Sequence, residues 1–424
     1  MLLRTSRNFR SLWAGQVVSV VGDGMQRVAL LWWATHAGGS GLLMAIALCG
    51  ILPIVIGSPF GGVLADRYNR RRLLAMADLL RLTVTATLAL LVIGGDPSPV
   101  IVCLCVALSA IGTSVFDPAY AAAVPSVVPA EDRPAANGLN MANSAVGGLI
   151  GPLIGGVLIS AFGVGTVLVV NACTFAWSVA FILATRLPRT AGGETSVSEL
   201  HTSRSVVTDV LRQRDVRGIV GLAAVLNMVA APVPLLIVVL AVDRFRVGAG
   251  AFGVLQVMIS AGILIGAIAA GSLARVRLAT PMLVLGTCLG MAGLLPYAGS
   301  AAAFLIGGVA IAVANTMLIT ALQNTVPAET QGRVFGVLGS MTEGLRPLGL
   351  ALGAPLLAIA GVSGAFVVVG LCVVAATIVW GRSRLVPGTT DAGTTDAGTI
   401  VGGVHAVGSK SVDGVRAIEG IEAA

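Results

Sequence analysis

GGVLADRYNRRR, Gly61 to Arg72, joins two long apolar runs and sets one acid, Asp66, among four arginines, Arg67, Arg70, Arg71 and Arg72. The runs on either side, 40–64 and 73–94, each supply the roughly 20 apolar residues that a membrane-spanning helix needs. Arginine collects at span ends on the side from which charge is not translocated. The stretch therefore reads as a short turn between two spans on the positive side of a bilayer.

The same pattern extends along the whole chain. Of 424 residues, 56% are hydrophobic and only 11% charged, a composition that a water-soluble domain could not hold without exposing its core. Apolar runs broken by Gly, Pro and charge predict twelve spans at 9–35, 40–64, 73–94, 99–126, 134–161, 164–185, 217–242, 249–274, 279–298, 301–325, 334–360 and 364–381. The turns at His36 to Ser40, Gly94 to Pro99, Phe162 to Gly165, Tyr297 to Ala301 and Gly361 to Gly364 lack Arg and Lys, with Asp243-Arg244-Phe245-Arg246 the exception. The alternating turns hold Arg67, Arg70, Arg71, Arg72, Arg133, Arg275, Arg277 and Arg333. This asymmetry predicts a multi-pass protein of the inner (plasma) membrane with both termini in the cytoplasm.

The net charge of +7 belongs to that topology and not to nucleic-acid binding, since the basic residues sit at span ends and only one of 26 is lysine. All six cysteines fall within apolar runs, a placement that suggests neither a disulfide framework nor a zinc site. No metal and no cofactor is expected. The basic start leads into a run interrupted by Asp23 and Arg27, so it reads as the first span and not as a cleavable signal.

Residues 187–216 are polar and mixed in charge. They divide the chain into an N-terminal six-helix bundle, 1–186, and a C-terminal one, 217–384, followed by a disordered tail, 385–424. The halves echo each other: Val128-Pro129-Ala130-Glu131 recurs as Val326-Pro327-Ala328-Glu329, and GVLADR from Gly62 has a weaker counterpart in GSLARV from Gly271. Such parallel repeats are expected of pseudo-symmetric transporter halves. In the tail, GVHAVGSKS from Gly403 has one residue too many before its lysine and no preceding strand, so it is not a nucleotide-binding loop.

Gly62, Asp66, Arg67, Arg70 and Arg71 match the signature turn that the major facilitator superfamily carries between its second and third spans. Asn69 stands where that signature has a second glycine, and asparagine tolerates the left-handed backbone such a turn can need. In the fifth span, Gly147, Gly151, Pro152, Gly155 and Gly156 resemble a second motif, found in exporter branches and associated with antiport. Pro152 removes a backbone donor and bends the helix. Gly147, Gly151 and Gly155, four residues apart, would offer a smooth face to a rocking interface. With LWAGQVVSVVGDGMQRVALLWW and FDPAYAAAVPSVVPAEDRPAANGL, these motifs resemble the branch that contains macrolide-efflux and enterobactin-exporter proteins.

The resemblance implies an all-α membrane fold, no enzyme, and export by alternating access coupled to proton entry. It also implies a cytoplasmic gate in which Asp117 partners Asp66 and Arg70.

Charges inside spans need partners or a wet cavity, because each costs about 2.5–3.5 kcal/mol at mid-membrane on insertion scales. Asp23 and Arg27, Asp78 and Arg81, and Glu343 and Arg346 are three or four residues apart, which places each pair on one helical face. Distances along the spans put Asp23 and Glu343 near mid-membrane, with Asp78 and Asp117 nearer the cytoplasm. Asp23 with Arg27, or Glu343 with Arg346, are therefore candidates for proton coupling. Gln16, Asn227, Gln256, Asn315 and Gln323 are candidates for the lining of a substrate cavity.

The sequence thus predicts a secondary transporter that exports small amphiphilic molecules of drug, antibiotic or siderophore type. It would act as a monomer in the lipid bilayer, with protons and a small-molecule substrate as its partners. The alternatives are a proton-coupled importer of a small solute and a membrane sensor that does not transport.

Overall fold

The computed structural model describes residues 6–95, 97–129, 132–185, 187, 214–270, 277–325 and 328–382. Among these residues there are helices and no strands: α1 (Arg7–Arg67), α2 (Arg70–Gly94), α3 (Pro99–Val127), α4 (Arg133–Ala184), α5 (Arg214–Ala230), α6 (Val233–Val239), α7 (Ala249–Ala269), α8 (Ala279–Ala292), α9 (Tyr297–Thr325) and α10 (Ala328–Arg382). A π-helical turn, Leu240–Arg244, continues α6. Eight helices are long and apolar enough to cross a membrane. Most of the 187–216 linker, the GSLARV and Val326-Pro327 repeat segments and the 385–424 tail lie outside the described residues.

Three helices are each double a span's length. α1, α4 and α10 break at Gly39 (φ +63°), Gly163 (φ +83°) and Gly361 (φ +63°), within turns expected from the sequence. A side chain would be strained in that left-handed backbone, so glycine lets the chain reverse within a tight turn. Each of these helices therefore has a first and a second arm.

Three local expectations are corrected. The run 217–242 is not one helix: Pro232 has no N–H to continue the ladder, and α5 gives way to α6 through a turn at Ala231 and Pro232. The ninth span is shorter than expected, because Pro296 bars its predecessor from helical backbone and Tyr297 begins α9 instead of ending α8. Asn69 is not left-handed (φ −62°, ψ 111°). It caps α2, its side-chain oxygen accepting the Arg72 N–H at 3.3 Å, a role glycine could fill only weakly.

Arg244, one of the two arginines in the exceptional turn Asp243 to Arg246, donates to the carbonyls of Gly293 and Leu294 just beyond the C-terminal end of α8. There a cation meets the negative end of the helix dipole. Phe245 lies edge-on to Tyr297, whose hydroxyl donates to Ala251 O at 2.9 Å.

The hydrophobic core shows how the helices are gathered. At the end away from the arginine turns, one cluster unites Leu31 and Leu43 of α1, Leu236 of α6, Phe252 of α7, Leu357 and Phe366 of α10, and residues of α2, α3, α4, α8 and α9. At the arginine-rich end the core divides. Leu12, Leu74, Phe116 and Ile182 form one cluster from α1–α4, and Ile219, Met282, Leu318 and Leu322 form another with residues of α5, α8, α9 and α10. The hydrophobic core is thus continuous at one end and divided at the arginine-rich end.

Candidate functional site

The signature turn is held by arginine on carbonyls. Arg70 Nη1 donates to Ala122 O of α3 at 3.0 Å and Nε to Ala65 O at 3.3 Å, while Asp66 Oδ1 lies 4.0 Å from Arg70 Nη2. Arg71 donates to the Leu183 carbonyl at the end of α4, and Arg67 is exposed. Asp117 is not brought to Asp66 and Arg70. It sits deeper along α3, where its charge bears on Arg81. Gly62 faces open space, and the close packing falls instead on its neighbour: a Cβ at Gly61 would collide with the Ser114 carbonyl of α3.

The glycines of α4 serve two faces, not one. Gly147, Gly151 and Gly155 pack against Val20, Val21, Gly24 and Met25 of α1; a Cβ at Gly151 would lie 2.8 Å from Gly24 Cα and from Val21 O. This stripe packs on α1, inside the first group of helices. The adjoining face, Gly148, Pro152, Gly156 and Ser160, meets α7. A Cβ at Gly156 would lie 2.8 Å from Ala249 O and 3.2 Å from Gly253 Cα. Gly250 N–H donates to Ser160 Oγ at 3.0 Å, and Ser260 Oγ donates to Gly148 O at 2.8 Å. Only glycine lets two helices approach this closely.

The charged residues form a cluster that the local spacing did not reveal. Arg81 of α2 donates to Asp23 Oδ2 of α1 at 2.6 Å and to Asp78 Oδ1 at 3.1 Å. Its guanidinium lies 4.2 Å from the ring centroid of Phe175 and 5.7 Å from that of Phe116. Asp78 is fully buried and also accepts from Ser178 Oγ at 2.6 Å; Ser178 in turn accepts from Gln16 Nε2 at 3.3 Å. Arg81 lies eleven residues beyond Arg70, roughly 16 Å along the helix, which is near the middle of a bilayer core of about 30 Å.

Asp23 and Asp78 therefore share one level, and Asp23 pairs with Arg81 rather than with Arg27. Arg27 is exposed and makes no ion pair among the described residues. Gln16, 8% exposed, belongs to this buried network and not to a cavity wall.

On the other side, Glu343 Oε2 accepts from Arg346 Nη1 at 2.8 Å, with both side chains about half exposed. Asn227 and Asn315 are exposed and Gln256 is partly so. Polar groups open to the exterior in the middle of a span face a wet cavity more cheaply than lipid. The Gln323 side chain lies outside the described residues.

The cluster's members lie on α1, α2, α3 and the second arm of α4. Asp78 and Arg81 were visible as a local pair, but Ser178 and Phe175 are about 100 residues away in sequence and nothing local marks them.

A family model described as Major Facilitator Superfamily matches residues 12–349. Macrolide efflux protein A of Streptococcus pyogenes is 24% identical over 383 residues, covering 88% of this chain and 94% of that protein. An enterobactin exporter of Escherichia coli strain HS is 28% identical over 358 residues, covering 79% and 82%. Among solved structures, an inward-facing bacterial homologue of the iron transporter ferroportin superposes with a TM-score of 0.66 at 15% identity, covering 90% of this chain and 99% of that one. That last likeness speaks to fold alone. The helical architecture, the signature turn and the match along most of the chain agree: this protein is a multi-pass membrane protein of the Major Facilitator Superfamily, a family of transporters.

Proposed function

We propose that the chain exports small amphiphilic molecules by alternating access, taking protons inward in exchange. The observation that carries this is the two-faced α4. Its Gly147, Gly151 and Gly155 face holds to α1, while its Gly148, Pro152 and Gly156 face closes on α7 and leaves the core parted at the other end. A bundle joined only at one end can rock about that seam and expose its cavity alternately.

In this reading the twelve spans form two bundles, 1–186 and 217–384, joined by the 187–216 linker and followed by the 385–424 tail. The arginine-rich end and both termini lie in the cytoplasm, and the protein works as a monomer in the plasma membrane. The state described above is then open to the cytoplasm. Asp66, Arg70 and Asp117 would meet when that side shuts. Asn227, Gln256 and Asn315 line the cavity. Export, and the drug, antibiotic or siderophore class of cargo, are supported by the names of the relatives. An inward proton carries about 2.3 kcal/mol per 100 mV, enough to sustain roughly a fortyfold gradient of a neutral solute.

Cells that express the protein should accumulate less labelled erythromycin or enterobactin than cells without it, and a protonophore should abolish the difference. Equal accumulation of a broad panel, or higher accumulation with the protein present, would remove the export reading. For orientation, in a cysteine-free background His36→Cys should react with an impermeant thiol reagent from outside intact cells and Arg72→Cys should not.

A further inference from the structure

The charged cluster has more acid than base. Around Arg81 stand Asp23 from α1, Asp78 from its own helix and Asp117 from α3, with Arg27 one turn beyond Asp23. The facing residues of α4, Gly147, Gly151, Asn171, Phe175 and Ser178, add no charge. Three carboxylates around one buried guanidinium, with Arg27 exposed nearby, leave an excess of negative charge that a proton would reduce.

The two acids that touch Arg81 are not equivalent. Asp78 is 0% exposed and fully engaged, accepting from Arg81 and Ser178; the Asp23 side chain is 34% exposed and, among the described residues, accepts from Arg81 alone. Beside them, three polar atoms are buried without a hydrogen-bond partner among the described residues: Ser19 Oγ on α1, one turn from Asp23, and Arg81 Nε and Thr85 Oγ1 on α2.

We infer that Asp23 is the proton-coupling residue, with Arg81 as its switchable counter-ion and Asp78 as the fixed anchor that keeps Arg81 in place. The inference rests on the exporter reading and names its proton site. When a proton arrives from the cavity at an Asp23 carboxylate oxygen, the Asp23 to Arg81 ion pair is lost and Arg81 remains paired to Asp78. The cluster then carries less charge and can be enclosed at a lower cost as the cavity passes from one side to the other. Release of the proton restores the pair. Glu343 has no such part: its charge is met by Arg346 on its own helix, in the open.

Infrared difference spectra of the full-length protein in lipid nanodiscs, taken between acid and alkaline buffers, read protonation of a carboxyl group without any transported solute. Within the pH-dependent carboxylic-acid absorption to which the chain's 19 acids contribute, the wild type should show one band that Asp23→Asn lacks, that Glu343→Gln retains and that Asp23→Glu shifts in frequency. Persistence of the band in Asp23→Asn, its absence from the wild type, or its loss in Glu343→Gln would overturn the assignment. In proteoliposomes with labelled erythromycin, Asp23→Asn should lose pH-driven efflux at least tenfold while keeping exchange of labelled for unlabelled drug; unimpaired pH-driven efflux would likewise overturn it. If the band behaves as expected but erythromycin is not moved in either direction by the wild type, the proton site stands and the exporter reading loses that cargo.

Discussion

Replacing Gly156 with alanine places a methyl group where two halves of the molecule touch and nowhere else. Built on the existing backbone, that Cβ would lie 2.8 Å from Ala249 O, 3.2 Å from Gly253 Cα and 3.4 Å from Gly250 Cα. All three belong to backbone, so no side chain can swing aside to make room. Overpacking of this kind costs about 1–3 kcal/mol. The cost falls only on the state in which α4 lies against α7, and a difference of that size shifts a two-state equilibrium roughly 5- to 150-fold.

Gly151→Ala is the matched control, because its Cβ would press on Gly24 and Val21 of α1, a seam that the proposed mechanism keeps shut in both states. Single cysteines at either end of the purified protein, challenged with a thiol reagent, read the balance of states, and the thermal midpoint reads stability. Gly156→Ala should favour the state open at the end away from the arginines and keep its melting midpoint. Gly151→Ala should melt lower with the balance unchanged. If Gly156→Ala leaves the labelling pattern as in wild type, or if Gly151→Ala moves it as far, the division of α4 into a fixed and a moving face is wrong.

Gly62 faces open space here, so Gly62→Ala should leave the thermal midpoint level or slightly higher, an interior alanine being worth up to about 1 kcal/mol over glycine; a fall in transport at equal expression would place its close contact in the other state. Arg81→Ala strands the buried Asp78 carboxylate and should cost about 3–5 kcal/mol, seen as loss of a monodisperse size-exclusion peak, whereas Arg346→Ala breaks an exposed pair worth under about 1 kcal/mol and should leave the peak intact. Arg244→Ala removes two charge-assisted hydrogen bonds to the carbonyls beyond α8, each of a kind worth about 1.5–3 kcal/mol, and should lower the melting midpoint without changing which end of the protein is open.

The fold class was legible because membrane solvation acts on local sequence. A span announces itself by length and polarity, and its reversals by glycines such as Gly39, Gly163 and Gly361, so the parts of the fold that depend on single segments were readable. The errors arose where a neighbour decided the outcome. Tyr297 is as apolar as the run before it, and only the backbone limits that Pro296 places on Leu295 move it into the next helix. Asn69 can serve either a left-handed turn or a helix cap. The start of α2 immediately after it selects the cap.

The charged site was less legible for the same reason. Spacing along one helix shows that Asp23 and Arg27 share a face, but not which helix that face meets or at what depth. Those depend on the rotation of α1, which is set by glycines: Gly22 lies against Asn171 and Thr174, and Gly24 against Gly147 and Gly151. With those contacts on two sides, Asp23 is turned towards Arg81. The residue that carries the charge is thus adjacent in sequence to the residue that forms the fixed seam, and one residue beyond that seam Pro152 begins the contact with α7. A route of contacts becomes a coupling only if both of its ends have two states. In the proposed mechanism the far end has them, α4 lying against α7 or apart from it, and Asp23 supplies the other pair by binding or losing a proton. Because α1 is packed on the backbone of α4 at Gly24, any shift of α1 that follows a change in the attraction between Asp23 and Arg81 would, in the proposed mechanism, carry α4 with it.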